Sequence, residues 1–142
     1  MGQYSAIGGS ATDWHLMHLG QFAVNGAGML ITEATAVSPE GRITPDCPGL
    51  YSDANEAALG RVVRFCKAHS PTAVGIQLSH SGRKGSTYPP ARGRNAPLSE
   101  ADGAWETLSS AAQPRANGWP TPRAADAQDI AKVVQDHIAA AE

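Results

Sequence analysis

The sequence predicts an α/β fold in which parallel strands alternate with helices that pack outside the sheet. Short apolar segments that suit buried strands alternate along the chain with amphipathic segments, in the order helix, strand, helix, strand, helix. Of 142 residues, 42% are hydrophobic and only 17% charged, which is enough to bury the core of one domain. Fifteen glycines and ten prolines predict many loops beside these elements.

The first helix and strand are expected near residues 13–26 and 29–34. Thr12 or Asp13 can cap the helix, and Asn25-Gly26 is typical of a helix end. The apolar residues at helical spacing are Leu16, Leu19 and Ala23. The segment that follows Gly28 is short and apolar, as buried strands are.

The second helix and strand are expected near residues 54–69 and 73–78. Asp53 and Glu56 have the spacing of a capping box, which predicts where the helix begins. An apolar stripe at i, i+3, i+4 and i+7 follows, formed by Leu59, Val62, Val63 and Cys66. The strand Ala73-Val-Gly-Ile-Gln-Leu comes directly after Pro71.

A long loop at 85–125 and a third helix near 126–141 complete the chain. Six of the ten prolines fall in the loop, so we expect little regular structure and low order there. Asp126 is predicted to cap the helix. Its inner side is expected to carry Ile130, Val133, Val134, His137 and Ile138.

Composition argues against several classes of function. The net charge of −2 and the scarcity of aromatic residues near basic ones argue against a nucleic-acid partner. No apolar run approaches the roughly 20 residues of a membrane span. The two cysteines suit a reducing compartment, so we expect a cytoplasmic protein without disulfides, and their spacing predicts no metal site.

Polar residues at the carboxyl ends of both strands are the candidate site. Gln77 offers a paired donor and acceptor that matches a planar imide edge, although a bond to loop backbone is the more common role. Glu33 is expected to be buried and paired with Arg83 or Lys84, and a general acid is the alternative. His80 is interpreted equally well as an anion or substrate contact or as a hydrogen-bonded loop residue.

Two further histidines, His15 and His18, lie three residues apart on the first helix. Zinc would need more ligands at sensible spacing, and the neighbouring sequence offers none. We therefore expect both side chains at the surface or at its boundary.

Four segments together resemble the Old Yellow Enzyme family, in particular its bacterial xenobiotic-reductase branch. The matching stretches run from Gly2 to Ala6, from Asp13 to His18, from Gly28 to Thr44 and from Gly75 to Lys84. Gly103-Ala-Trp-Glu-Thr and Pro120-Thr-Pro-Arg fit the same branch. The resemblance runs over essentially the whole chain and corresponds to the N-terminal portion of the family's proteins.

The resemblance implies a partial (β/α)8 TIM barrel, roughly the first three βα units, with residues 1–142 as a single incomplete domain. A complete barrel needs about 250 residues. The expected cofactor is FMN, with NADPH or NADH as reductant, and the expected substrate is a small enone-type molecule with an activated C=C bond. The later family segments, which carry the catalytic histidine pair and tyrosine, would lie beyond these residues.

Five residues fall on family contact positions. Met1, Gly2, Ala34 and Gln77 fall on cofactor-binding positions, and Tyr4 falls on a tyrosine that faces substrate. No catalytic residue is expected within the chain. Gly2 stands where the branch has a cysteine.

These features give two main functional hypotheses. The first is an FMN-dependent NAD(P)H oxidoreductase of the ene-reductase type, present as an N-terminal fragment that is inactive when isolated. The alternative is a non-catalytic remnant that acts as a binding or assembly module. The macromolecular partner would be a second copy or a complementing barrel chain.

Overall fold

The computed structural model describes residues 1–92 and 95–142; residues 93 and 94, inside the predicted loop, lie outside the described residues. The main elements are α1 (Asp13–Val24), β1 (Met29–Ala36), α2 (Asp53–His69), β2 (Ala73–Ser79) and α3 (Ala127–Ala141). Two short strands, β3 (Leu108–Ser109) and β4 (Arg123–Ala124), precede α3. The predicted α/β element order is confirmed.

Strands β1 and β2 pair in parallel, as the sequence predicts. The register begins with Met29 opposite Ala73 and ends with Ala36 opposite Ser79. Strands β3 and β4 form a separate parallel pair. Because β1 and β2 run in the same direction, their carboxyl ends lie at one edge of the sheet.

Helices α1 and α2 pack together over the outer face of this pair. The buried cluster consists of Ala23, Val62 and Cys66, and Leu16, Leu19, Leu30 and Val74 pack against it. The predicted apolar stripes of both helices therefore meet each other and the sheet. Burial raises the pKa of the Cys66 thiol, which keeps it protonated.

Helix α2 begins differently from the prediction. Its N-cap is Ser52, whose side chain accepts a hydrogen bond from the Asn55 N–H at 3.3 Å. The predicted box between Asp53 and Glu56 is therefore wrong by one residue, because the serine hydroxyl already satisfies the free N–H. Both acidic residues lie in the first helical turn, where the helix dipole favours them.

Helix α3 is capped as predicted but is not buried. The Asp126 carboxylate accepts hydrogen bonds from the N–H groups of Gln128 and Asp129. Only part of the expected inner face is covered: Val133 and His137 are half-buried, whereas Ile130, Val134 and Ile138 retain 58%, 50% and 46% of their accessible surface. Polar contacts also attach the helix, including one from Lys132 Nζ to Glu40 Oε1 at 3.1 Å.

Most of the 85–125 segment lacks regular structure, as predicted, in the part that the structure describes. It contains short 3-10 turns at Pro90–Arg92 and Glu100–Asp102 together with β3 and β4. Residues 85–89 are nevertheless buried, and the Thr87 N–H donates to the Ile43 carbonyl at 3.0 Å. Among the described residues, no helix combines the length and the apolar character that crossing a membrane requires.

Replacing valine by alanine should affect the stability of the chain differently at a buried and at an exposed helix position. Val62 is 1% exposed and Val134 is 50% exposed. Val62→Ala should lower the free energy of unfolding by about 2 kcal/mol through lost burial and a residual cavity. Val134→Ala should change it by less than about 0.5 kcal/mol. Urea denaturation of both variants measures the difference, and equal losses would contradict this core.

The start of α3 predicts an unusually acidic side chain. Hydrogen bonding to Arg123, at 2.8 Å for the Nη2–Oδ1 pair, and to the Asp126 N–H lowers the pKa of Asp129 to about 2. The stabilisation that this carboxylate provides is complete above its unfolded pKa and is lost as pH falls towards 2. Carboxyl NMR titration should show Asp129 still ionised at about pH 3. Arg123→Ala should raise its pKa, whereas Arg64→Ala, on α2, should not.

Candidate functional site

A β-bulge at Thr32 and Glu33 sets the geometry of the candidate site. Ile31 lies opposite Gly75, but the next aligned pair is Ala34 with Gln77. Two residues of β1 therefore occupy the length of one residue of β2. The bulge brings Ala34 and Gln77, both predicted as cofactor contacts, directly opposite each other near the carboxyl end of the sheet.

The Gln77 side chain is exposed at this edge. Within residues 1–92 and 95–142, its amide group makes no hydrogen bond. The alternative in which Gln77 bonds to loop backbone is therefore not realised in the described part of the chain. An accessible amide with a free donor and acceptor has the chemistry to bind the imide edge of a flavin.

The N-terminal segment reaches the same end of β1. The Gln3 N–H donates to Glu33 Oε2 at 2.6 Å, and the Ala6 N–H donates to the Asp46 carbonyl at 3.0 Å. Met1 is exposed, whereas Gly2 and Tyr4 are half-buried. The contact at Gln3 places its two neighbours, Gly2 and Tyr4, near the bulge.

Tyr4 adopts a conformation that is rare for an aromatic residue. Its φ angle is 52°, in the left-handed region that favours glycine. A Cβ atom built on Gly2 would lie 3.0 Å from Tyr4 Cζ, so the ring occupies the space that a side chain at residue 2 would need. Burial raises the pKa of the Tyr4 phenol, and the nearby Cys47 and Glu33 raise it further.

The predicted partner of Glu33 is wrong. Arg83 and Lys84 are exposed, and the group that faces the Glu33 carboxylate is His15, with 3.3 Å between Nε2 and Oε1. Both side chains are 5% exposed, so the expected surface position of His15 is also wrong. The spacing of His15 three residues after Thr12 was the available signal, because His15 Nδ1 accepts the N–H of the helix cap at 2.9 Å.

His80 lies in the loop directly after β2. Its Nδ1 accepts the Gly82 N–H at 3.2 Å, so the hydrogen-bonded loop role is present. Burial lowers the pKa of His80 and keeps the imidazole neutral at neutral pH. Its Nε2 atom is buried without a hydrogen bond from any described residue.

Comparisons with known proteins agree on one family. The family model described as the NADH:flavin oxidoreductase / NADH oxidase family matches residues 1–142. An NADH:flavin oxidoreductase from Gibberella zeae is 42% identical over 99% of this chain and 34% of its own length. An NADPH dehydrogenase from Geobacillus thermodenitrificans is 35% identical over 89% of this chain and 32% of its length.

The fold agrees with that similarity. A structure of morphinone reductase in complex with tetrahydroNAD superimposes with a TM-score of 0.78 over 99% of this chain and 39% of the reductase, at 24% identity. The sequence similarity places the chain in the class of proteins that the family model describes as NADH:flavin oxidoreductases. The chain belongs to the NADH:flavin oxidoreductase / NADH oxidase family, and the resemblance to Old Yellow Enzyme is confirmed. It spans about a third of the length of these curated relatives.

The packing of Tyr4 on Gly2 predicts that residue 2 controls the ring position. In Gly2→Ala the methyl group would lie 3.0 Å from Tyr4 Cζ, so the ring should move away. The change should appear as altered Tyr4 ring shifts and lost NOEs to residue 2 in NMR spectra. Gly28→Ala is the matched control, because an added Cβ there meets no atom within 4 Å. Unchanged Tyr4 resonances in Gly2→Ala would refute this packing.

Proposed function

We propose that the chain contributes part of the flavin and substrate site of an NAD(P)H-dependent FMN oxidoreductase of the ene-reductase type. The observation that carries the proposal is the alignment of Ala34 with an exposed Gln77 at the carboxyl edge of a parallel pair. In α/β barrels this edge is where ligands bind. FMN bound there would supply hydride transfer from NADH or NADPH to an activated C=C bond.

Gln77 and Ala34 would hold one edge of the flavin ring system. The Gln77 amide can donate and accept on one planar group, as the pyrimidine edge requires. Ala34 has only a methyl side chain, so a planar ring can approach its backbone closely. The family resemblance assigns Met1 and Gly2 to the same cofactor.

Tyr4 would face the substrate. Its phenol can donate a hydrogen bond to a substrate carbonyl, and its raised pKa keeps the hydroxyl protonated well above neutral pH. Residues that transfer the proton to substrate are assigned by the resemblance to family segments outside these 142 residues.

The 142 residues as an isolated polypeptide should bind FMN weakly. A neutral hydrogen bond contributes a net ~1 kcal/mol, whereas micromolar binding requires roughly 8 kcal/mol. In barrels of this type the phosphate is often held at a helix N-terminus after the late strands. We therefore expect a dissociation constant above about 1 μM for the isolated chain.

Flavin fluorescence titration tests this expectation. The chain is titrated alone and again with a polypeptide that contains the part of the Gibberella zeae relative beyond the region of similarity. Binding that appears only in the mixture supports the proposal. Submicromolar binding by the chain alone would contradict the weak-binding prediction, and no binding in a demonstrably assembled mixture would favour the non-catalytic alternative.

Two variants then separate the site from general effects. Gln77→Leu should weaken the recovered FMN affinity by about tenfold, because one polar edge of the flavin loses its partner. Gln135→Leu is the matched control, since Gln135 is exposed on α3. Equal affinities for the two variants would exclude Gln77 from the flavin site.

A further inference from the structure

We propose that Glu33, held by His15, is a positioning residue that fixes the N-terminal segment at the carboxyl end of β1 and thereby sets the Tyr4 ring against Gly2. The role given to Tyr4 at substrate rests on the proposed function. The positioning contact itself involves only residues of this chain and can be tested without flavin.

The bulge takes Glu33 out of the regular strand pattern of β1. The Glu33 carbonyl accepts hydrogen bonds from the hydroxyls of Thr35, at 2.9 Å, and Thr32, at 3.2 Å. These neighbouring hydroxyls stabilise the irregular backbone. The Glu33 side chain is consequently buried although it is a carboxylate in a strand.

The Glu33 carboxylate holds the N-terminal segment through the backbone of Gln3. Glu33 Oε2 accepts the Gln3 N–H at 2.6 Å, a contact between residues 30 positions apart. Hydrogen bonds to an ionised carboxylate are shorter and about twice as strong as neutral ones. The N-terminal residues form no helix or strand of their own, so this bond is a principal constraint on their position.

His15 contacts the other carboxylate oxygen of Glu33. Because Nδ1 accepts the Thr12 N–H, the ring proton must be on Nε2, which faces Glu33 Oε1 at 3.3 Å. Neither atom makes a well-aligned hydrogen bond within the described residues, so their contact is electrostatic. The Nε2–H carries a partial positive charge next to the buried carboxylate group, and α1 thereby fixes the orientation of Glu33.

The backbone of Tyr4 is in a strained, left-handed conformation. A left-handed aromatic residue persists only where the surrounding structure over-determines its conformation. Tyr4 lies between two anchored positions, the Gln3 N–H on Glu33 and the Ala6 N–H on Asp46. Releasing the Gln3 anchor should therefore relax Tyr4 and move its ring away from Gly2.

The first measurement uses the unmodified chain. The Gln3 amide proton should be shifted downfield in NMR spectra and should exchange at least about tenfold more slowly than expected for an unstructured chain. Free exchange at Gln3 in the folded chain would overturn the proposal without any variant.

The variants test the two side chains. Glu33→Gln keeps an acceptor but removes the charge, and should speed exchange at Gln3 by about tenfold and lower the Tyr4 titration midpoint. Tyrosine ¹³Cζ NMR, assigned with Tyr51→Phe and Tyr88→Phe, measures that midpoint. Glu56→Gln, at an exposed position on α2, is the matched control. A folded Glu33→Gln chain with unchanged Gln3 exchange and Tyr4 titration would overturn the proposal.

His15→Phe should also speed exchange at Gln3, whereas His18→Phe on the same helix should not. Unchanged Gln3 exchange in folded His15→Phe would remove His15 from the arrangement and overturn the proposal as stated. These readouts need no cofactor, so a positive result together with failed FMN binding would overturn only the proposed function.

Discussion

The extra residue in β1 determines which residues lie opposite each other near the carboxyl ends of the two strands, and the candidate site depends on this alignment. Without the bulge, the register that begins with Ile31 opposite Gly75 would place Glu33, not Ala34, opposite Gln77. A charged side chain would then project beside the amide that is proposed to bind flavin. Bulges in parallel pairs are rare, and they often re-aim side chains next to functional sites. Here one irregularity both aligns Ala34 with Gln77 and turns Glu33 towards His15.

A second buried region, apart from the helix–sheet core, includes the carboxyl end of β1. Residues 35–38 are buried at the end of β1 and just after it, and residues 85–89 are buried in the long loop that follows β2. Met29 and Ile31, at the start of β1, are each 60% exposed. The carboxyl end of β1 is therefore well packed although its start is exposed, and a site there is supported by buried residues that immediately follow the strand.

Local patterns were sufficient to predict the helices, strands and parallel pairing. Helical spacing in α2 identified Val62 and Cys66 as core residues, because amphipathic periodicity follows directly from burial. The same logic failed for α3, where Ile130 and Val134 form an apolar face that no described residue buries. Periodicity records which face is apolar and does not record what lies against it.

The candidate site was less accessible to prediction from sequence. The positions of Ala34 and Gln77 followed from the family resemblance, but their alignment depends on a bulge that no local propensity encodes. The partner of Glu33 depends on how α1 is rotated against β1. Arg83 and Lys84 follow the second strand closely and were therefore expected next to the Glu33 carboxylate. Helix α1 brings His15 to that carboxylate instead.

The burial of both thiols has a practical consequence for handling the protein. Cys66 lies in the helix–sheet core, and Cys47 is buried with its Sγ atom 3.4 Å from the Thr44 N–H. Alkylating reagents act on exposed thiolates, so both cysteines are shielded while the chain is folded. A maleimide dye could therefore be attached selectively to a cysteine introduced on the surface, with the native pair left in place. For the same reason, the rate at which the native thiols are modified would report how often the core opens.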